Sequence, residues 1–240
     1  MITRFLLDDD APHVVLVGSG KGGVGKSLLS ILLAAEAASA GRRVLLFDAD
    51  LNIGTLHVLL GLRPAARVDA LLDSPLEPDD LVCRVSRNLW LLPGTCGVER
   101  LHDLSALERA RLELRLSAVF SNYDLVIVDS GTGLDGAVRT ATISADRLVV
   151  VATPEPAALT GAYALMKLAH LRTPEIPIDV LVNRCQSDAD GVAAFGKLAT
   201  ACDHFLNREI RYVGAVAEDL SLALAARDPE QCLTMIRRAS

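Results

Sequence analysis

Gly20-Lys21-Gly22-Gly23-Val24-Gly25-Lys26-Ser27 reads as a glycine, four residues and then Gly-Lys-Ser. That spacing is the phosphate-loop pattern. Glycine reaches backbone conformations closed to other residues, so successive N–H groups can turn inward around a phosphate chain. On this reading Gly20 to Leu28 is the nucleotide-binding stretch. Lys26 sets its ammonium against the β- and γ-phosphates, and Ser27 offers its hydroxyl to Mg²⁺. The flanks agree. His13–Val17 is a short apolar run that reads as a buried strand, and Leu28–Ala40 reads as a helix stopped by Gly41. A helix beginning near Ser27 directs its positive end at the same anion. A second lysine, Lys21, follows the first glycine directly.

Outward from the loop, short β-branched runs alternate with longer helical patterns. The strand candidates are Arg43–Phe47, Leu89–Leu92, Leu125–Val128, Leu148–Ala152, Ile178–Val182 and Arg211–Val213. Helices are expected over Leu56–Leu60, Val68–Leu72, Ser105–Phe120, Asp135–Ser144, Ala157–Leu171, Ala189–Leu206 and Leu220–Ala226. Ser105-Ala106-Leu107-Glu108 has the form of a capping box. Ser74–Asp80, with Pro75 and Pro78, reads as a surface connection. The alternation predicts an α/β fold: a single P-loop NTPase domain with a mainly parallel twisted sheet and helices on both faces. The expected layout is an extension at 1–12, one domain at 13–229 and a tail at 230–240.

With 240 residues, the chain can bury a substantial core. Its net charge of −6 gives no global attraction to nucleic acid or anionic lipid. No apolar run approaches a membrane span, and the start is too short in apolar residues for a signal peptide. A cytoplasmic protein is expected, with peripheral contact at the inner face of the cell membrane as an option. Cys83, Cys96, Cys185, Cys202 and Cys232 form no Cys-x-x-Cys pair and read as reduced packing thiols.

In such folds ligands sit at the carboxyl ends of the strands, so the polar residues there are the ones to weigh. Phe47-Asp48-Ala49-Asp50 ends one strand. Aspartate favours turns, but two carboxylates beside a buried strand are expensive without a task. One of them would orient the attacking water or support the Mg²⁺ shell. Leu125-Val126-Ile127-Val128-Asp129 has the Walker B form, its carboxylate holding Mg²⁺ together with Ser27. Ser130-Gly131-Thr132-Gly133 follows as a loop able to sense a γ-phosphate. Asn183 and Arg184 close a later strand; an amide can read a purine edge and a guanidinium can stack on it, although Asn is also an ordinary turn residue.

Taken together, these stretches resemble the MinD/ParA family of deviant Walker A ATPases over His13 to Pro229. Asp48-Ala49-Asp50-Leu51-Asn52-Ile53-Gly54 is similar to its first switch, and Tyr123 to Gly133 to its Walker B segment and second switch. Pro154-Glu155-Pro156-Ala157-Ala158-Leu159-Thr160 and Leu181-Val182-Asn183-Arg184 most resemble the flagellar-number branch, FlhG/FleN/YlxH. The resemblance implies ATP and Mg²⁺ as ligands and an ATP-dependent homodimer with two nucleotides sandwiched. Lys21 would reach the partner's phosphates, with Lys26 completing the catalytic set. Asp50 rather than Asp48 would orient water, and Asn183 and Arg184 would contact adenine. It implies a slow switch stimulated by a protein partner, regulating flagellar number or similar polar machinery.

Three departures from the family pattern stand out. No Asp-Gln-Ala motif occurs in residues 1–12. The end, Glu230 to Ser240, is at best a weak amphipathic membrane helix, with a frayed tail as the plainer reading. Ala217 stands where the family usually has proline or tyrosine. Iron–sulfur relatives bridge a cluster with two cysteines; Cys96 finds no partner near Asp129, which argues against that chemistry. Two alternative functions remain: a ParA-type partition ATPase using Arg208, Arg211, Arg227, Arg237 and Arg238 on DNA, ranked below the first, and a MinD-type ATPase on membrane.

Overall fold

Val14 and Leu16 enter one hydrophobic layer, and Val15 and Val17 enter another. That alternation is what a strand buried on both faces must show. The computed structural model describes residues 6, 13–50, 54–73, 78–95, 104–131, 145–219, 224 and 228–239, without the side chains of 73, 78, 79, 235 and 237–239. In chain order these form β1 (Val14–Gly18), α1 (Lys26–Ser39), β2 (Val44–Ala49), α2 (Leu56–Leu59), α3 (Ala70–Asp73), α4 (Pro78–Leu81), β3 (Cys83–Arg84) and β4 (Leu89–Leu92). There follow α5 (Ala106–Phe120), β5 (Leu125–Ser130), β6 (Arg147–Ala152), α6 (Pro156–Arg172), β7 (Ile178–Cys185), α7 (Asp188–Leu206), β8 (Arg211–Ala217) and α8 (Pro229–Ala239).

The strands make one sheet in the order β3-β4-β2-β5-β1-β6-β7-β8. All pairings are parallel except β3 on β4. One face is covered by α5, α6 and α7, through Leu116, Phe120, Leu165, Met166 and Leu198 among others. The opposite face is covered by α1, α2 and α8, through Ile31, Leu33, Leu56, Cys232 and Ile236. The expected α/β class, mainly parallel sheet and two helical layers are therefore what the chain adopts.

Differences from the sequence reading lie at the margins. β3 is two residues long and antiparallel, too short for a periodic signal. The end of the expected connection, Pro78 to Asp80, belongs to α4. β7 and β8 run three to four residues beyond the apolar runs that announced them, across register shifts at Val180/Leu181 and Val182/Cys185. Residues 230–239 of the expected tail lie in α8, which buries Cys232 and Ile236 against α1. Spacing of four residues puts those two side chains on one face of a helix. Leu6, the one described residue of the 1–12 extension, is buried in the same layer, and Arg42 donates to its carbonyl. The capping box forms as expected: Glu108 N–H donates to Ser105 Oγ at 3.3 Å, and Ser105 N–H to Glu108 Oε2 at 3.0 Å. The expected helix at 135–144 lies outside the described residues, as do 51–53, 132–133, Cys96 and all of 220–226 but Leu224. No helix among the described residues is long and apolar enough to cross a membrane.

Candidate functional site

Parallel pairing brings the carboxyl ends of β1, β2, β5, β6 and β7 to one edge of the sheet. Asp48 lies beside Asp129 in register, and Val17 beside Asp129 on the other side. The loop after β1 leads straight into α1. Gly23 and Gly25 have φ of 77° and 92°, the left-handed region that a side chain resists. A Cβ on Gly22 or Gly23 would meet nothing within 4 Å, so the loop has open space beside it. Gly25 caps α1 without a side-chain hydrogen bond, whereas Ser105 and Ser187 cap α5 and α7 with theirs. The first N–H groups of α1 are thus left for a ligand, which is how a helix start binds an anion.

The opening of the loop is fixed by a contact that the sequence reading passed over. A Cβ on Gly20 would sit 1.9 Å from the carbonyl oxygen of Gly161, and one on Gly161 would sit 2.7 Å from that of Gly20. Glycine at both positions lets the backbone of α6 lie directly on the loop. From the other side, Asn183 is buried; its Nδ2 donates to Val24 O at 2.8 Å, and it leaves no room for a Cβ on Gly25. Here Asn183 braces the loop. Next to it Arg184 takes a left-handed φ of 57° within the irregular end of β7, and its guanidinium is exposed.

Lys26 is buried. Its Nζ lies 2.6 Å from Asp129 Oδ1 and 3.4 Å from Ser27 Oγ. One ammonium therefore touches both residues expected to hold a metal. Ser30 Oγ also donates to Asp129 Oδ1, at 2.8 Å. Asp48, 1% exposed, accepts from Leu56 N–H at 2.9 Å and from Asp50 N–H at 3.3 Å. Gly54 and Gly94 close on it so tightly that a Cβ on either would stand about 3 Å from its carboxyl group. Burial pushes the Asp48 carboxyl up to about 7; the Leu56 N–H opposes this, the Asp129 charge adds to it, and the Asp50 N–H and Lys26 oppose it. Asp48 thus ties down both ends of the segment after β2, and Asp50 is half-exposed at its start.

Lys21 is placed differently. Its Nζ lies 2.7 Å from Glu155 Oε2, with the two side chains 44% and 58% exposed. The Lys21 hydrogen bond and charge, with a smaller contribution from Arg184, hold the Glu155 carboxyl below the usual range. Ser19 Oγ at the loop entrance and Thr153 Oγ1 at the end of β6 are buried without a hydrogen-bond partner among the described residues.

The donor set fits a magnesium nucleotide. The loop offers glycines with open space and an uncapped helix start for phosphates, and a cation already bridges Ser27 and Asp129. A sequence profile of the family described as "AAA domain" matches residues 13–174. The antiactivator FleN of Pseudomonas aeruginosa is 33% identical over 215 residues, which is 90% of this chain and 77% of that protein. The chain belongs to the MinD/ParA family of P-loop ATPases, in the branch of FleN and YlxH.

A second MinD/ParA relative, the flagellum site-determining protein YlxH of Helicobacter pylori, is 29% identical over 89% of this chain and 72% of its own length. Among solved structures, a ParA family ATPase from Chlorobium tepidum superposes with a TM-score of 0.72 at 23% identity, covering 94% of this chain and 96% of that one. The septum site-determining protein MinD of Pyrococcus horikoshii, complexed with Mg-ADP, gives 0.71 at 20% identity, covering 94% of each chain. These likenesses establish the MinD/ParA fold.

Proposed function

We propose that this chain is a magnesium-dependent ATPase that closes into a homodimer around two ATP molecules and through that cycle regulates the number or placement of a polar assembly such as the flagellum. The observation that carries the reading is the buried Lys26 ammonium touching Ser27 and Asp129 inside a phosphate loop that also bears Lys21. The name of YlxH, a flagellum site-determining protein, supports the flagellar assignment, and that of FleN, an antiactivator, supports a regulatory role.

The residues take the following parts. Gly20 to Leu28 surround the phosphates with backbone N–H groups. Lys26 exchanges Asp129 for the β- and γ-phosphates, and Ser27 and Asp129 hold Mg²⁺. The metal, when bound, neutralises charge on the phosphate oxygens. Asp50 orients the attacking water, its backbone held by Asp48. Lys21 releases Glu155 and turns to the partner's phosphates. Asn183 and Arg184 meet the adenine, with the Nδ2 of Asn183 engaged on the loop. Such a cycle is slow and stimulated by a protein partner.

The partition alternative needs a basic surface. Two of its candidate residues are engaged internally: Arg211 pairs with buried Asp179 at 2.8 Å, and Arg208 donates to the carbonyls of Pro174 and Ile176. Peripheral membrane contact through α8 would require it to leave α1. Cosedimentation with DNA and with anionic liposomes, each with ATP, separates these readings; the proposal expects neither to pellet the chain.

Asp50→Ala tests the central mechanism. The variant should bind ATP and remain dimeric by light scattering while phosphate release falls by roughly a hundredfold or more, the usual scale for losing a positioned acid–base group. Turnover at the wild-type rate would remove Asp50 from the reaction.

A further inference from the structure

Asp129 is asymmetric in a way the Walker B pattern does not foresee. Its Oδ1 takes two donors, Lys26 Nζ at 2.6 Å and Ser30 Oγ at 2.8 Å. Its Oδ2 takes no hydrogen bond among the described residues. Ser30 is fully buried on α1, one helical turn beyond Lys26, whose carbonyl lies 3.1 Å from the same hydroxyl. A serine hydroxyl carries one proton, and a carboxylate holds it more strongly than a neutral carbonyl does.

We infer that Ser30 is a positioning residue that fixes Asp129 through Oδ1 and so leaves Oδ2 for the Mg²⁺ shell. This rests on the reading of Asp129 as a metal-holding residue. The two donors on Oδ1 have different fates in the cycle. Lys26 is drawn toward the β- and γ-phosphates when they arrive, in the role assigned to it above. Ser30 is carried by a buried stretch of α1 and cannot follow. Without it, the buried carboxylate would lose its last fixed partner among the described residues at the moment the metal needs it oriented. A buried anion with a free torsion pays both in desolvation and in alignment.

The test titrates a fluorescent ADP analogue into the full chain, once with Mg²⁺ and once with EDTA. Ser30→Ala should weaken binding in Mg²⁺ by about tenfold, the scale of one hydrogen bond to a charged group, and leave binding in EDTA unchanged. Ser30→Thr, which keeps the hydroxyl, should restore the Mg²⁺-dependent gain. Ser30→Cys, close in volume but a weak donor, should behave as Ser30→Ala and serves if the alanine variant folds poorly. A general packing defect would instead weaken binding in both media, and that result overturns the inference. So does a full Mg²⁺ gain in Ser30→Ala or Ser30→Cys when Asp129→Asn has lost it. If Asp129→Asn itself keeps the gain, the metal reading beneath the inference falls first.

Discussion

The phosphate loop carries two lysines five residues apart, and each holds a carboxylate at nearly the same distance: 2.6 Å for Lys26–Asp129 and 2.7 Å for Lys21–Glu155. Their surroundings differ almost completely. The first pair is 4% and 3% exposed, the second 44% and 58%. Burial makes the same contact a different object. Removing one member of a buried pair strands a charge in low dielectric, whereas water and salt replace an exposed partner readily. The lysine assigned to the chain's own nucleotide is thus bound into the fold, and the lysine assigned to a second copy is held by a contact it can exchange.

The largest effect expected from this contrast is on Lys26→Met. It should abolish nucleotide binding and destabilise the nucleotide-free chain by roughly 3–5 kcal/mol in guanidinium denaturation. Adding Asp129→Leu should return most of that stability without returning binding. If Lys26→Met melts like the wild type, the pair is not the buried object described. A pH series probes the same pocket through Asp48. With its carboxyl raised to about 7, the folded chain keeps a proton that the unfolded chain gives up near pH 4. Stability from this group is therefore complete below about pH 4 and lost as pH rises toward 7, on the order of 4 kcal/mol if the whole shift is expressed. Melts at pH 5 and pH 8 should show the wild type losing ground to Asp48→Asn at the higher pH; parallel curves would refute it. The exposed pair should give the smallest stability change. Lys21→Ala and Glu155→Gln should each leave the melting temperature unchanged in low and high salt. Lys21→Ala should still bind nucleotide yet lose the ATP-dependent dimer in light scattering. A resolved melting shift in either variant would show that the pair is less solvated than its exposure implies.

The half of this contrast that concerns sequence neighbours was legible in advance. A phosphate loop, a preceding apolar run and a following helix are local, and each announced itself by spacing. So did Asp48 and Asp129, as carboxylates that follow apolar runs of strand length, while the choice of Asp50 rests on the family resemblance. Residues whose role depends on distant partners did not. Ser30 looks like any serine inside a helix until β5 places Asp129 against it. Gly161 looks like a weak point in α6 until the Gly20 carbonyl arrives. Glu155 read only as part of a family motif, and nothing local ties it to Lys21 across 134 positions. Asn183 at a strand end suits a base contact or a turn, and nothing in the sequence announces the hold of its Nδ2 on Val24. β3 escaped notice because two residues carry no period.

The central place of β1 has a consequence for how the chain is made. Its neighbours are β5 and β6, reached through Val14↔Val126 and Val15↔Arg147. During synthesis the glycine loop leaves the ribosome about a hundred residues before β5, and β6 comes later still. Until those strands follow, β1 has neither of its sheet neighbours. The site is complete only once these long-range pairings, which are slow to form, are in place. A site built this way reports a paired sheet, because Asp129 meets Lys26 only when β5 lies beside β1.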